Sequence, residues 1–335
     1  MVKILIKSFY RPYLLDRCLY SIYHYVEGEY SVEVLDDGTP EKYLNAIRSK
    51  YPNLKISLSP NHASKVKMLE DHLIKNKKYN NNLIPTAFWL EKINSADSHN
   101  LILTEDDVWF TRRINISELS EEMIQKKIDL VQLGYPINHF NFTKSYQENE
   151  ELIYYKPKLL VNSPKIYSLL LNNSYKLTQL LLKWKILPKT WKKQLWILYN
   201  IPMGIYNKNY LTFIWKDSFQ RVLESLQLRN AVTWYIKNLK KEKKYAIINN
   251  PIMTTTFICS VSFNNSTDFD LIKFNHLMND LWIDNKFDSL ENFPNELTDS
   301  YIEKTLNEHS TDLKFNDWRL WKNKFINSFE SFNQK

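Results

Sequence analysis

Over its first 134 residues the chain alternates short, densely apolar runs with longer stretches in which apolar residues return every three or four positions. VKILIKS predicts a strand over residues 2–8, and Pro12 suits the first turn of a helix. From about Tyr13 to Val26 the positions Leu14, Leu15, Cys18, Leu19, Ile22 and Tyr23 fall on one helical face, and Gly28 fits a cap at its end. YSVEVL predicts a second strand that runs into Asp36, Asp37 and Gly38. A helix from about Pro40 to Lys50 and the strand LKISLS complete a second unit. Residues 64–77 and 87–95 read as helices around an Asn-rich turn over 79–86. The apolar strand NLILT then delivers Glu105, Asp106 and Asp107. A charged helix over about 117–127 leads to IDLVQL, a strand that stops at Gly134. This alternation predicts a parallel sheet flanked by helices.

Beyond residue 145 the periodicity loosens. LIYYKPKLLV is strand-like, residues 176–206 form a basic, Trp-rich segment, and Asp217 to Leu228 read as a helix. YAIINNPIMTTTFICS predicts another strand and its exit. The tail from Phe269 is helical in pattern, interrupted by an acidic loop over 285–295.

Composition narrows the class. Hydrophobic residues make up 44% and aromatic residues 14%, ample for a packed core and against wholesale disorder. A net charge of +8 suits an anionic partner. Zinc-finger spacing, an RNP-like strand and a basic zipper are all missing, which argues against nucleic acid. Cys18 and Cys259 are too few for a disulfide framework and too isolated for a metal cluster, so buried free thiols are expected. The opening VKILIKSF is too short and strand-like for a signal peptide, and no run of about eighteen apolar residues occurs. A cytoplasmic protein, peripheral at most to the inner face of a membrane, is the resulting expectation.

The chemistry concentrates in LILTEDDVWF, where a buried strand ends in three adjacent acids. Carboxylates at the carboxyl edge of an α/β sheet sit where such sheets bind ligands. They suit a hard divalent cation that bridges diphosphate oxygens. The plainer reading is that Glu105 to Asp107 face water or cap a helix. A Gly-x-Ser-x-Gly elbow, a P-loop and a Rossmann glycine fingerprint are absent, which weighs against hydrolases, P-loop ATPases and dinucleotide oxidoreductases.

The ordered set VKILIKSFYRPYLLDRCLYSI, VEVLDDGT, NHASK and LILTEDDVWF resembles the nucleotide-binding half of GT-A glycosyltransferases over roughly residues 2–136. The resemblance implies a Rossmann-like, mixed but mainly parallel sheet flanked by helices, with a helical C-terminal acceptor region. It implies a nucleoside-diphosphate sugar as donor, with Mn²⁺ or Mg²⁺ as cofactor. Ser8, Phe9 and Arg11 would then line the nucleoside cleft, Asp36 or Asp37 would accept hydrogen bonds from base or ribose, and Lys65 would lie near base or phosphates. Thr104 stands where a first aspartate falls in the commoner motif, so the acids look like the EDD variant. In that variant Asp107 binds the metal, and Glu105 or Asp106 meets ribose or metal-bound water. Taken alone, Asp36 reads equally as a turn aspartate before Gly38, and Lys65 as a solvated helix residue.

An inverting transferase also needs a general base, and Asp217 in FIWKDSFQRV resembles the segment that supplies it. A helix N-terminal aspartate, or an ion pair with Arg221 four residues on, explains Asp217 without catalysis. Of the scattered His62, His139, His276 and His309, His276 could add a metal ligand, although FNHLMNDLW reads as a packed amphipathic helix. Trp184, Trp191 and Trp196 among Lys183, Lys185, Lys189, Lys192 and Lys193 suit either a membrane interface or a hairpin packed on the acceptor region. The division expected is 1–145 for the nucleotide-sugar half, 146–275 for the acceptor half with its segment 176–206, and 276–335 for a helical extension. The function implied is transfer of a sugar to a carbohydrate or lipid-linked glycan acceptor. A nucleotide-sugar-forming nucleotidyltransferase and a non-catalytic glycan- or membrane-binding protein are the rivals. The first of these normally carries a glycine-rich first loop, whereas this one reads KSFYRP.

Overall fold

The computed structural model describes residues 1–79, 83–134, 145–147, 151–189, 191–200, 202–217, 223–239, 245–260 and 269–334. His139 and Arg221, noted above, lie outside them. The first half runs β1 (Val2–Ser8), α1 (Pro12–Tyr25), β2 (Val26–Glu27), β3 (Tyr30–Asp36), α2 (Glu41–Lys50), β4 (Lys55–Leu58), α3 (His62–Lys75) and α4 (Thr86–Ser95). It continues through β5 (Asn100–Glu105), β6 (Val108–Phe110), β7 (Ile114–Asn115), α5 (Ile116–Gln125) and β8 (Leu130–Gln132). After β9 (Ser145–Gln147) and β10 (Leu152–Tyr155) come α6 (Pro164–Leu171), α7 (Leu177–Lys183), β11 (Gly204–Asn207), α8 (Lys208–Trp215) and α9 (Glu224–Lys237). The chain closes with β12 (Tyr245–Ile248), β13 (Met253–Thr255), α10 (Leu271–Ile283), α11 (Asp299–His309) and α12 (Phe315–Gln334).

One sheet carries the frame, in the order β4-β3-β1-β5-β11-β8-β12-β10-β9. β11 and β10 run against the other strands, so the sheet is mixed but mainly parallel. This is a Rossmann-like, mixed but mainly parallel α/β sheet flanked by helices, as the sequence resemblance implied.

Strand periodicity decides which core each residue joins, because successive side chains point to opposite faces. Ile4, Ile6, Val34 and Ile102 enter a core shared with α1, α5, α10, α11 and α12. Their neighbours Leu5, Leu35, Leu101 and Leu103 enter a second core with α4, α6, α8 and α9. Covered on both faces, β1 and β5 are near-continuous apolar runs, as buried parallel strands should be.

The sheet takes strands from both sides of residue 145, and the last helices place Trp318 and Trp321 in the same core as Val2. The join is also polar. Arg17, fully buried, donates through Nη1 to the carbonyls of Ser289 at 2.7 Å and Glu291 at 3.1 Å, and through Nη2 to that of Asn295. Its neighbour Asp16, equally buried, accepts from Lys50, Tyr51, Trp282 Nε1 and Ser289 Oγ.

Four local expectations change. α1 ends on extended Val26, and Gly28 turns the chain from β2 into β3 at φ +94°, with Ser117 Oγ only 2.6 Å from where a Cβ would stand. Only Leu152–Tyr155 of LIYYKPKLLV is strand, because the Lys-Pro that follows ends the ladder. The helix expected from Asp217 begins at Glu224, and Asp217 lies just past the end of α8. Segment 176–206 is broken into α7, a 3₁₀ turn at Lys193–Leu198 and β11. Within it Trp191 is buried and Trp196 packs on the second core, while Trp184 stays 60% exposed.

Candidate functional site

β1, β3 and β5 are adjacent and parallel, in registers that align Ser8 with Asp36 and Lys7 with Glu105. Their carboxyl ends therefore bring together Ser8–Arg11, Asp36–Gly38 and Glu105–Asp107, three segments far apart in sequence.

Asp106 is the buried centre. Its Oδ2 accepts from Ser8 Oγ at 3.1 Å and from the Phe9 amide at 3.2 Å, and its Oδ1 accepts from Arg11 Nη2. Arg11 Nη1 reaches Asp107 Oδ2 at 2.7 Å and Cys259 Sγ at 3.8 Å. One guanidinium thus holds two adjacent carboxylates in a forked contact suited to its geometry. Burial pushes the Asp106 carboxyl up to about 7 against the pull of Arg11. Burial also raises Asp107, again opposed by Arg11. Arg11 itself is held above its ordinary range, because Asp106 and Asp107 outweigh the lowering effect of its burial. Glu105 is lowered by Lys7, whose Nζ lies 2.6 Å away and 5.0 Å over the Trp89 ring.

The second acidic turn is equally occupied. Asp36 Oδ1 accepts from the amides of Gly38 at 3.0 Å and Thr39 at 2.8 Å, and its Oδ2 from Thr39 Oγ1 at 2.6 Å. His62 Nε2 lies 3.2 Å from the same carboxylate, and that contact raises the imidazole. Asp37 accepts from Ser59 Oγ at 2.6 Å and from Lys65 Nζ. Lys65 is buried, 5.1 Å over the Phe9 ring, rather than solvated on α3. Thr39 Oγ1 also accepts from the Tyr10 amide at 2.9 Å, stitching the first loop to the second. Tyr10 sits there at φ +54°, a conformation non-glycine residues hold only when their surroundings impose it.

Ser8, Phe9, Arg11, Asp36, Asp37, Lys65, Glu105, Asp106 and Asp107 therefore form one connected constellation. Asp217 stands apart from that network: it is 43% exposed and contacts Arg229 Nη2 and Asn230 Nδ2, each at 3.2 Å. Topology still brings it to the same edge, because β11 runs against β5 and α8 returns alongside, placing Trp215 5.9 Å from Lys7 Nζ. His276 faces elsewhere, with Nδ1 2.9 Å from Tyr10 Oη and Nε2 3.5 Å from Asp280. Sequence reading missed the roof of the site: Thr255 Oγ1 and the Thr256 amide donate to the Asp107 carbonyl at 3.1 and 3.3 Å, and β13 pairs with β6. It also missed Lys7, Trp89 and Trp215 around Glu105, since lone lysines and tryptophans carry no motif.

Among the described residues no three His, Cys, Asp or Glu side chains converge on one point. The described residues by themselves therefore form no metal cage. The donor set nevertheless suits Mn²⁺ or Mg²⁺, which are typically held by one or two carboxylates plus substrate phosphates. Of these acids, Asp107 is 14% exposed beside Asp106, which is fully buried.

No protein-family model and no curated protein matches the sequence. Several solved structures are similar in fold. S. aureus TarS 1–349 in complex with UDP-GlcNAc is 12% identical, with 99% of this chain and 73% of that one covered at a TM-score of 0.43. Galactosyltransferase LgtC in complex with donor and acceptor sugar analogs is 13% identical, with 73% of each chain covered at 0.33. Glucosyl-3-phosphoglycerate synthase from Mycobacterium tuberculosis, in complex with Mn²⁺, UDP and glucosyl-3-phosphoglycerate, is 9% identical, with 76% and 72% covered at 0.37. At such scores the likeness is distant.

Proposed function

We propose that this chain is a glycosyltransferase that moves a sugar from a nucleoside-diphosphate donor to a carbohydrate or lipid-linked glycan acceptor. The observation that carries the reading is the Ser8–Asp106–Arg11–Asp107 network, set at the carboxyl edge of a parallel sheet one strand away from the Asp36–Asp37 turn. That edge is where open α/β sheets bind nucleotides.

In this reading Asp36 and Asp37 act mainly by shaping the nucleoside wall, since their oxygens already accept internal hydrogen bonds. Phe9, half-buried over Lys65, offers a ring face to the base. Arg11 cancels one of the two negative charges of Asp106 and Asp107, leaving a deficit of positive charge beside an incoming diphosphate. A divalent ion held through Asp107 would supply it and neutralise the departing nucleoside diphosphate. Asp217, on the same sheet edge, takes the proton from the acceptor hydroxyl. The freed oxygen bonds to the anomeric carbon, and the bond from that carbon to the diphosphate breaks with inversion.

A nucleotidyltransferase is disfavoured by the first loop. The Phe9 amide donates to Asp106 and the Tyr10 amide to Thr39, so neither is left to cradle a triphosphate. The deciding experiment is thermal stability against a panel of nucleoside diphosphates with and without Mn²⁺, repeated on Asp107→Ala. A ligand selective for the native state raises the midpoint. A Mn²⁺-dependent shift that disappears in the variant is expected. Folded protein that responds to none of the panel would point to a non-catalytic binding protein instead.

A further inference from the structure

From residue 152 to residue 216 the chain contains no aspartate, glutamate or arginine, yet eleven lysines. The net +8 of the whole chain is therefore +11 from this stretch and −3 from everything else. The same stretch holds an unusual share of the solvent-facing large apolar residues.

Helices α6 and α7 form its outer corner. α6 turns Tyr167 and Leu170 into the second core and leaves Ile166 and Leu169 on its outer face. Thr178 Oγ1 donates to the Leu170 carbonyl at 2.5 Å, tying α7 against α6. Along α7, Leu180, Lys183 and Trp184 follow at three- and four-residue spacing and all face solvent. The turns on either side add Tyr175, 98% exposed, and Ile186, 65% exposed. Lys165, Lys176, Lys185 and Lys189 are exposed around them.

We propose that this corner is a docking surface for an anionic lipid bilayer. An exposed tryptophan and aliphatic residues ringed by lysines match the two halves of a membrane interface: the ring and aliphatic groups enter the headgroup boundary while the lysines meet anionic lipid. Charge opposes the simplest alternative, a symmetric pairing of this face with itself in a second copy of the chain, because it would bring like charge against like. The all-lysine composition also favours diffuse attraction to a charged surface over the forked phosphate contacts that arginine makes. With no helix of the described residues long and apolar enough to cross a membrane, the contact is one of lying on the surface.

The test is co-sedimentation of the full chain with phosphatidylcholine vesicles containing or lacking phosphatidylglycerol, at low and high salt. It is repeated with Trp184→Ser/Ile186→Ser and with Lys183→Gln/Lys185→Gln. Both pairs are exposed, and unchanged melting midpoints check that the variants fold. Expected are binding only to the anionic vesicles, loss of that binding at high salt, and at least tenfold weaker partitioning in each double variant. Folded wild-type protein left in the supernatant would overturn the proposal. So would equal binding by wild type and variants, equal or tighter binding to duplex DNA, or a dimer that the Trp184→Ser/Ile186→Ser variant dissolves without changing vesicle binding. The vesicles carry no donor, so this result is independent of the nucleotide assays.

Discussion

Arg11 and Asp107 meet through Nη1 and Oδ2 at 2.7 Å, and the same guanidinium holds Asp106 with its other nitrogen. The arginine is thereby both the counter-charge of a buried acid and the clamp on its less buried neighbour. Removing it strands Asp106 without a cation. Arg11→Met is expected to cost about 3–5 kcal/mol, the usual penalty for breaking a buried pair from one side. Arg11→Met combined with Asp106→Asn should recover part of the loss. Urea unfolding midpoints check this, with Arg113→Met, whose side chain is 75% exposed, as the reference. Equal effects at the two arginines would show that the clamp contributes nothing.

For Asp217 the expectation concerns rate alone. Asp217→Asn keeps the side chain's size and its contacts to Arg229 and Asn230 but removes a proton acceptor. General-base loss typically lowers turnover by about 10²–10⁴-fold. Donor affinity should stay within about twofold, since no contact ties Asp217 to the nucleotide end of the site. Full turnover in Asp217→Asn would remove it from the mechanism.

Acid should loosen the sheet at a second buried carboxylate. Burial by itself raises Glu33, but Ser57, Lys3 and Lys92 outweigh it and hold the group at about 2. A group depressed in this way stabilises the fold above its unfolded pKa of about 4.5, and that contribution is lost as pH falls through the window from about 4.5 to about 2. Allowing for the partly exposed lysines, Glu33→Gln should cost on the order of 2 kcal/mol at pH 7. In denaturant titrations the gap should narrow through that window and close only below about pH 2. A gap that does not change with pH would mean the ionised form is not the one the lysines stabilise.

Gly38 sits at φ +137°, and a Cβ there would stand 2.7 Å from Lys65 Cβ. Gly38→Ala should therefore destabilise by about 1–3 kcal/mol through backbone strain and by pushing Lys65 off Asp37. The same displacement should weaken nucleotide binding, measurable by calorimetry. Normal affinity in a destabilised variant would place Lys65 outside the recognition surface.

The amino-terminal half of the fold was legible because its strands are short apolar runs and its helices are amphipathic, two periods that differ plainly. Asp36 and Asp107 could be placed at one sheet edge from order alone, since parallel strands end on the same side. What order could not show was occupancy. That Asp36 satisfies its own turn, and that Lys65 is buried beneath Phe9, follows from side-chain packing across three segments. The second half was harder to read. β10 to β13 are three or four residues each, too short for a period, and Arg17's carbonyl partners carry no sequence signal at all.

Those carbonyls also impose an order on synthesis. Arg17 leaves the ribosome 272 residues before Ser289 and Asp16 some 266 before Trp282, so at roughly 5–20 residues per second their partners trail by roughly 13–54 s. Throughout that interval the nascent α1 carries an arginine without its carbonyl partners and an aspartate whose partners are limited to Lys50 and Tyr51. The buried polar face of α1 is therefore sealed only when residues 266 to 272 positions later have been made, so the first helix of the fold is among the last to be fully packed.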